Sequence, residues 1–275
     1  MKISKTLYIR YLFTLLLPLS GLLQACDMIE YHPYDLDIDG ETEVNARNIQ
    51  RIETALDGKK EFSFAVISDT QRWYDETEDA VADMNEKGGI DFVVHTGDLS
   101  DFGMKLEFEK QRDILNGLSV PYVCLLGNHD CLATGKEAFN RIFGEENFSF
   151  TAGDVLFICL NTNALEFDYS DAIPDFSFLE KLLKNLSPDI RRTIVAMHAG
   201  PYSEQVNNNV ARVFQLYLRQ FPGLQFCVYG HGHSIQVNDF FDDGILYYEC
   251  TCAKKRAYLR FTLKENEYLY EVVNY

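Results

Sequence analysis

Phe92-Val93-Val94-His95-Thr96-Gly97-Asp98-Leu99-Ser100-Asp101 joins a short run of aromatic and β-branched residues to a glycine turn carrying two carboxylates. The run reads as a buried strand and its continuation as a functional loop. The same order recurs on both sides of it. Phe62 to Ile67 precedes Asp69-Thr-Gln71, and Tyr122 to Leu126 precedes Gly127-Asn128-His129-Asp130. Further on, Thr193 to Met197 precedes His198, and Gln225 to Tyr229 precedes Gly230-His231-Gly-His233. In open α/β sheets, ligands gather at the carboxyl ends of strands. Gly97, Gly127 and Gly230 permit the tight turns that let these side chains converge on one rim.

Helical spacing fills the intervals between these strands. Glu76 to Lys87, Lys105 to Leu118, Thr134 to Phe143, Phe176 to Leu186 and Val206 to Phe221 are the predicted helices. Phe148 to Thr151 and Val155 to Asn161 read as a hairpin. After Gly230 four strand-like runs follow without helices, which predicts an antiparallel meander from Ile235 to Val273. An α/β fold with two layers of sheet flanked by helices accommodates both halves.

At 275 residues and 47% hydrophobic composition, the chain can bury one substantial core. Its formal net charge of −17 disfavours a basic nucleic-acid groove. An anionic substrate would need local neutralisation by something other than the bulk surface, and bound divalent cations would provide it. No motif indicates a protein partner.

The N-terminus follows a targeting order. Lys2, Lys5 and Arg10 precede an apolar stretch from Tyr11 to Leu23, too short to span a membrane comfortably. Leu23-Gln-Ala25-Cys26 resembles the lipobox of bacterial lipoproteins, which implies a lipid on Cys26, membrane attachment and a place in the bacterial cell envelope. Secretory cleavage after Ala25, or an uncut anchor, is the alternative. Acidic residues without Lys or Arg then run from Asp27 to Asn45 and read as a solvated tether. The expected organisation is therefore 1–26 signal, 27–45 tether and 46–275 folded domain.

The ligand set after the strands mixes carboxylate and amide oxygens with imidazole nitrogens and holds no thiolate, which suits Mn, Fe or Zn. In order, the five segments resemble the D-x-H, GDxxD, GNHD, H and GHxH signature of the calcineurin-like metallophosphoesterases, over roughly residues 60 to 250. The resemblance implies a four-layer αββα sandwich of two mixed sheets with outer helices. It implies two divalent metal ions, the first held by Asp69 and His233, the second by Asn128, His198 and His231, with Asp98 bridging. It implies His129 as the general acid facing the substrate, with Asp101 orienting that imidazole and raising its basicity. It implies hydrolysis of a phosphate mono- or diester by a metal-activated hydroxide. Gln71 departs from the signature, standing where a second His is expected. An amide oxygen is a harder and weaker ligand than imidazole, so the first site would fill loosely, or with Mn or Mg. A non-catalytic binding protein on the same fold is the competing reading.

Several other residues fall near the motifs. Cys124, Cys159 and Cys227 lie in apolar runs as small hydrophobes, and Cys250 and Cys252 share a strand face. His95 reads as a packed histidine. Trp73, Tyr74 and Tyr202 either wall the pocket or pack a loop. Lys254, Lys255 and Arg256 read as a solvated turn, with a phosphate-gripping role as the alternative.

Overall fold

The computed structural model describes His32 and residues 35–275. The export and lipidation readings, Cys26 included, lie outside the described residues. A compact unit spans Leu36–Tyr275.

Its first sheet contains β1 (Phe62–Ile67), β2 (Phe92–His95), β3 (Tyr122–Cys124), β10 (Ala257–Leu263) and β11 (Tyr268–Asn274), in the order β11-β10-β1-β2-β3. Its second sheet contains β4 (Phe148–Ala152), β5 (Val155–Leu160), β6 (Arg192–Met197), β7 (Leu224–Tyr229), β8 (Gln236–Asn238) and β9 (Leu246–Glu249), in the order β4-β5-β6-β7-β9-β8. β1, β2 and β3 run parallel, as do β5, β6, β7 and β9, so both sheets are mixed. Between the sheets, Phe64 stacks on Phe92 at 5.3 Å and on Phe261 at 5.2 Å and takes Phe157 edge-on. Such pairs each contribute roughly 0.5–1.5 kcal/mol beyond their area burial. The opposite faces carry the helices. α2 (Tyr74–Lys87), α3 (Lys105–Leu115) and α4 (Gly135–Ile142) cover the first sheet through Ala80, Met84, Phe108 and Phe139. α5 (Phe176–Lys184) and α6 (Ala211–Leu218) cover the second through Leu179, Phe214 and Leu218. This is the expected αββα sandwich. The core strands are buried on both faces, so their apolar runs are continuous rather than alternating.

Three expectations need correction. The tail is not one meander. β9 joins the second sheet parallel to β7, whereas β10 crosses to the first sheet and pairs antiparallel with β1. The expected tether also ends earlier than its acidity suggests. Leu36 and Ile38 pack against the helix layer, Arg112 donates to the carbonyls of Asp39 and Glu41, and α1 (Val44–Leu56) is helical before residue 46. In α1, Val44, Asn48, Ile52 and Leu56 are buried at a four-residue spacing. The Asn45 amide exchanges two hydrogen bonds, 2.8 Å each, with the backbone of Cys124, satisfying the free edge of β3. The domain therefore begins at Leu36 and not at residue 46. The predicted helix 206–221 is shorter too, its first part being a 3-10 turn, Asn208–Val210.

Candidate metal centre

Every predicted site residue sits at the carboxyl end of a strand. Asp69 follows β1, Asp98 follows β2, Asn128 and His129 follow β3, His198 follows β6, and His231 and His233 follow β7. The loops hold them in strained backbone. Asp69, Asp98, His231 and His233 all adopt left-handed φ, between 51° and 67°, a conformation that non-glycine residues seldom take outside functional sites. Gly97 takes the positive φ expected of a turn glycine, 105°, but Gly127 has a different reason. Gly127 has no positive φ; a Cβ there would lie 2.1 Å from the backbone nitrogen of Asp98. It is glycine so that the loops after β2 and β3 can touch.

In the second half of the site, three donors converge. His198 is fully buried and its Nδ1 donates to the Thr96 carbonyl at 2.9 Å, which leaves a lone pair on Nε2. Burial holds this imidazole neutral, lowering its pKa to about 4. His231 Nε2 donates to the Glu204 carboxylate at 2.9 Å, which leaves a lone pair on Nδ1. Both lone pairs face Asn128 Oδ1, at 2.9 and 3.0 Å. Acceptors do not hydrogen-bond one another. Two ligands each about 2.1 Å from one ion and at right angles are, however, about 3 Å apart. The donor set therefore fits a divalent cation. Glu204 completes a carboxylate–histidine–ligand chain that no sequence motif announces.

The first half is also suited to a cation. Asp69 is fully buried, and its Oδ1 makes no hydrogen bond, lying 3.2 Å from His233 Nε2. Its Oδ2 accepts from the Ser68 hydroxyl and from the His231 backbone. Burial pushes the Asp69 carboxyl up, but the His233 imidazole and the Ser68 hydroxyl outweigh it and hold the pKa at about 2. Gln71 is present and buried, with Nε2 donating to Asp98 Oδ2 at 3.2 Å and Oε1 left without a partner. An unpartnered carboxylate oxygen and an unpartnered amide oxygen are what a cation would satisfy. Ligand atoms of Asp69, Asp98 and His198 all lie within 4.8 Å of one another. Burial, then the carboxylates of Asp69 and Asp130, push the Asp98 carboxyl well above its ordinary value.

His129 is at the rim as predicted, but Asp101 does not serve it as predicted. His129 Nδ1 donates to the backbone carbonyl of Asp101 at 3.0 Å, while the carboxylate Oδ1 lies 3.6 Å away and pairs with Arg72. The orienting group is thus a peptide oxygen, and the carboxylate is engaged by a cation that sequence reasoning passed over. The carbonyl fixes a proton on Nδ1 and leaves Nε2 without a partner among the described residues.

Three supports were also not predicted. Asp130 is buried and accepts from the backbone nitrogens of Gly127, Asp98, Leu99 and Ser100 and from the Ser100 hydroxyl. Its signal was its place in the Gly127–Asp130 quartet. Glu249 is buried below the last histidine loop and accepts from Ser234 and Tyr229. His95 is packed, as read, and also useful: Nδ1 accepts from Gly97, and Nε2 donates to Thr70 at 2.8 Å, between Asp69 and Gln71. All the described cysteines, Cys250 and Cys252 included, are free thiols.

A family model described as calcineurin-like phosphoesterase matches residues 62–234. A 3′,5′-cyclic-nucleotide phosphodiesterase of Nostoc sp. is 29% identical over 155 residues, which is 53% of this chain and 56% of that protein. The chain thus spans about half the length of that relative. A probable cyclic nucleotide phosphodiesterase of Rhodopseudomonas palustris is 38% identical over 65 residues, 23% of this chain and 22% of that one. Among solved structures, a dimetal phosphatase from Danio rerio superposes with a TM-score of 0.63 at 14% identity, covering 78% of this chain and 96% of that chain. The last likeness is one of fold.

Proposed function

We propose that this chain, which belongs to the calcineurin-like phosphoesterase family, hydrolyses phosphate mono- or diesters at the rim formed by Asp69, Asp98, Asn128, His198, His231 and His233. The observation that carries the reading is the convergence of the His198 and His231 lone pairs on Asn128 Oδ1, beside unpartnered oxygens on Asp69 and Gln71. Two bound divalent cations, Mn, Fe or Zn, would supply Lewis acidity and a water acidified towards neutrality. The chain's own residues do the rest. Glu204 and the Thr96 carbonyl fix the tautomers that direct lone pairs inwards. Asp130 holds the backbone of Asp98 in place. His129, aligned through its Nδ1–H by the Asp101 carbonyl, would act as the imidazolium, giving its Nε2 proton to the leaving oxygen and ending as the neutral Nδ1–H form.

A direct assay tests this. With Mn²⁺ or Zn²⁺ the chain is expected to turn over aryl and bis-aryl phosphates. His129→Ala is expected to reduce kcat by about 10²–10⁴-fold, more for alkyl than for aryl leaving groups, because poor leaving groups depend most on protonation. No turnover with any divalent cation would favour the competing reading, a non-catalytic binding protein. Export with lipidation at Cys26 belongs to the same proposal and is supported by the order of residues 1–26 alone. Cys26→Ser is expected to release the chain from the membrane fraction, and unchanged retention would remove the anchor from the reading.

A further inference from the structure

We propose that Arg72, Lys254 and Lys255 form a subsite for a second anionic group on the substrate, a phosphate beyond the one being hydrolysed. The inference rests on the hydrolytic reading above. In a chain of net charge −17, cations gathered beside the first half of the metal centre are unexpected. Arg72 follows Gln71 directly, in left-handed backbone with φ 58°. One guanidinium nitrogen pairs with Asp101, the side chain is 54% exposed, and its other nitrogens bond to nothing among the described residues. Trp73 comes next, and Lys254 Nζ lies 4.8 Å from the centre of its ring. That ammonium has no carboxylate partner among the described residues, and stacking on the indole holds it at low cost.

The turn bearing the lysines is fixed against the metal site. Cys252 bridges to Ser68, the Ala253 backbone donates to the Asp69 carbonyl at 3.2 Å, and Lys255 Nζ donates to the His233 carbonyl at 2.7 Å. Arg256, the remaining cation of the run, faces away, paired with Asp79. The loop that presents Asp69 and Gln71 therefore also presents Arg72, and the turn between β9 and β10, bonded to that loop and to the His233 loop, presents Lys254 and Lys255. A guanidinium with free donors and an ammonium match phosphate oxygens, and their field opposes the repulsion from the rest of the protein. The substrate class that uses such a rim is a phosphoester with a second phosphate, such as a nucleoside bisphosphate ester, rather than one with a neutral alcohol on each side.

The full chain loaded with Mn²⁺ is the material for the test. Adenosine 3′,5′-bisphosphate and adenosine 5′-monophosphate are compared as competitive inhibitors of bis-aryl phosphate turnover and as ligands by calorimetry. The bisphosphate is expected to bind about five- to tenfold more tightly at low salt. That ratio is expected to fall towards one in Lys254→Gln and Arg72→Gln, to fall with added salt, and to persist in Lys254→Arg. A ratio near one in the wild type, or one unchanged by Lys254→Gln and Arg72→Gln, overturns the subsite. If no ester is hydrolysed, the hydrolytic reading fails, and the calorimetric ratio still decides whether the subsite exists.

Discussion

Asp98→Asn is expected to lower turnover on the order of 10³-fold and, at the same time, to make the metal-free protein more stable. The two effects have one cause. Asp98 is buried between the carboxylates of Asp69 and Asp130, and burial together with these neighbours raises its pKa well above that of an unfolded aspartate. For a group raised in this way, the unfolded chain ionises first as pH rises. Its contribution to stability is complete below the unfolded pKa of about 4 and is lost as pH climbs towards the folded value. At neutral pH the metal-free protein thus carries a penalty that bound cations would remove. Asparagine removes it without cations. Its oxygen still accepts from the His129 backbone, and its new NH2, at the Oδ2 position, gains an acceptor once the Gln71 amide flips to present its otherwise unpartnered Oε1.

Thermal unfolding in chelator from pH 5 to 8 measures this. The neutral, buried His95 and His198 favour folding as pH rises in both proteins alike, so the Asp98 contribution is read as the difference: the gap in unfolding temperature between variant and wild type is expected to widen as pH rises through that range, with the variant the more stable at pH 7. Asp69 titrates at about 2 and does not contribute within this window. Adding Mn²⁺ is expected to stabilise the wild type by ligand linkage and the variant hardly at all. A variant less stable than wild type in chelator would show that Asp98 is not held at a cost for its ions.

The legible parts of the sequence share a physical signature. Strands buried on both faces must be continuous apolar runs, so β1, β2, β5, β6 and β7 stand out, and the polar residues after them become candidate ligands. Features that depend on a distant partner left no local trace. Whether β10 joined the first sheet or the second is decided by its pairing with β1, and a hairpin reads the same in either place. The packed segment 36–45 was hidden by its acidity, because its anchors are backbone carbonyls bound by Arg112 and two half-buried apolar residues. Glu204 and Glu249 are single acids whose importance comes from a histidine loop met only in three dimensions. Asp101 was found for the right neighbourhood and the wrong atom. Its carbonyl, which every residue has, serves His129, while its carboxylate serves Arg72.

Asp130→Ala is expected to destabilise the fold by about 3–5 kcal/mol, the range found when one partner of a buried charged network is removed. Burial raises the Asp130 carboxyl, and the hydrogen bonds it accepts pull it back. Oδ2 takes the backbone nitrogens of Asp98, Leu99 and Gly127, and Oδ1 takes the nitrogen and hydroxyl of Ser100. These donors lie in loops that pass within a Cβ's width of each other at Gly127. Alanine strands backbone N–H groups where water has no access and releases the loop that aims Asp98. Asparagine keeps one acceptor but turns the other towards donors, so Asp130→Asn is expected to cost about 2–3 kcal/mol. Urea unfolding in chelator at pH 7 measures both, with Asp57→Asn, an exposed acid, as a control expected within about 0.5 kcal/mol of wild type. Calorimetry with Mn²⁺ should show weakened binding in both Asp130 variants, since Asp98 loses its backbone anchor. A loss below about 1 kcal/mol for Asp130→Ala would mean that the loops after β2 and β3 are held by their glycines alone.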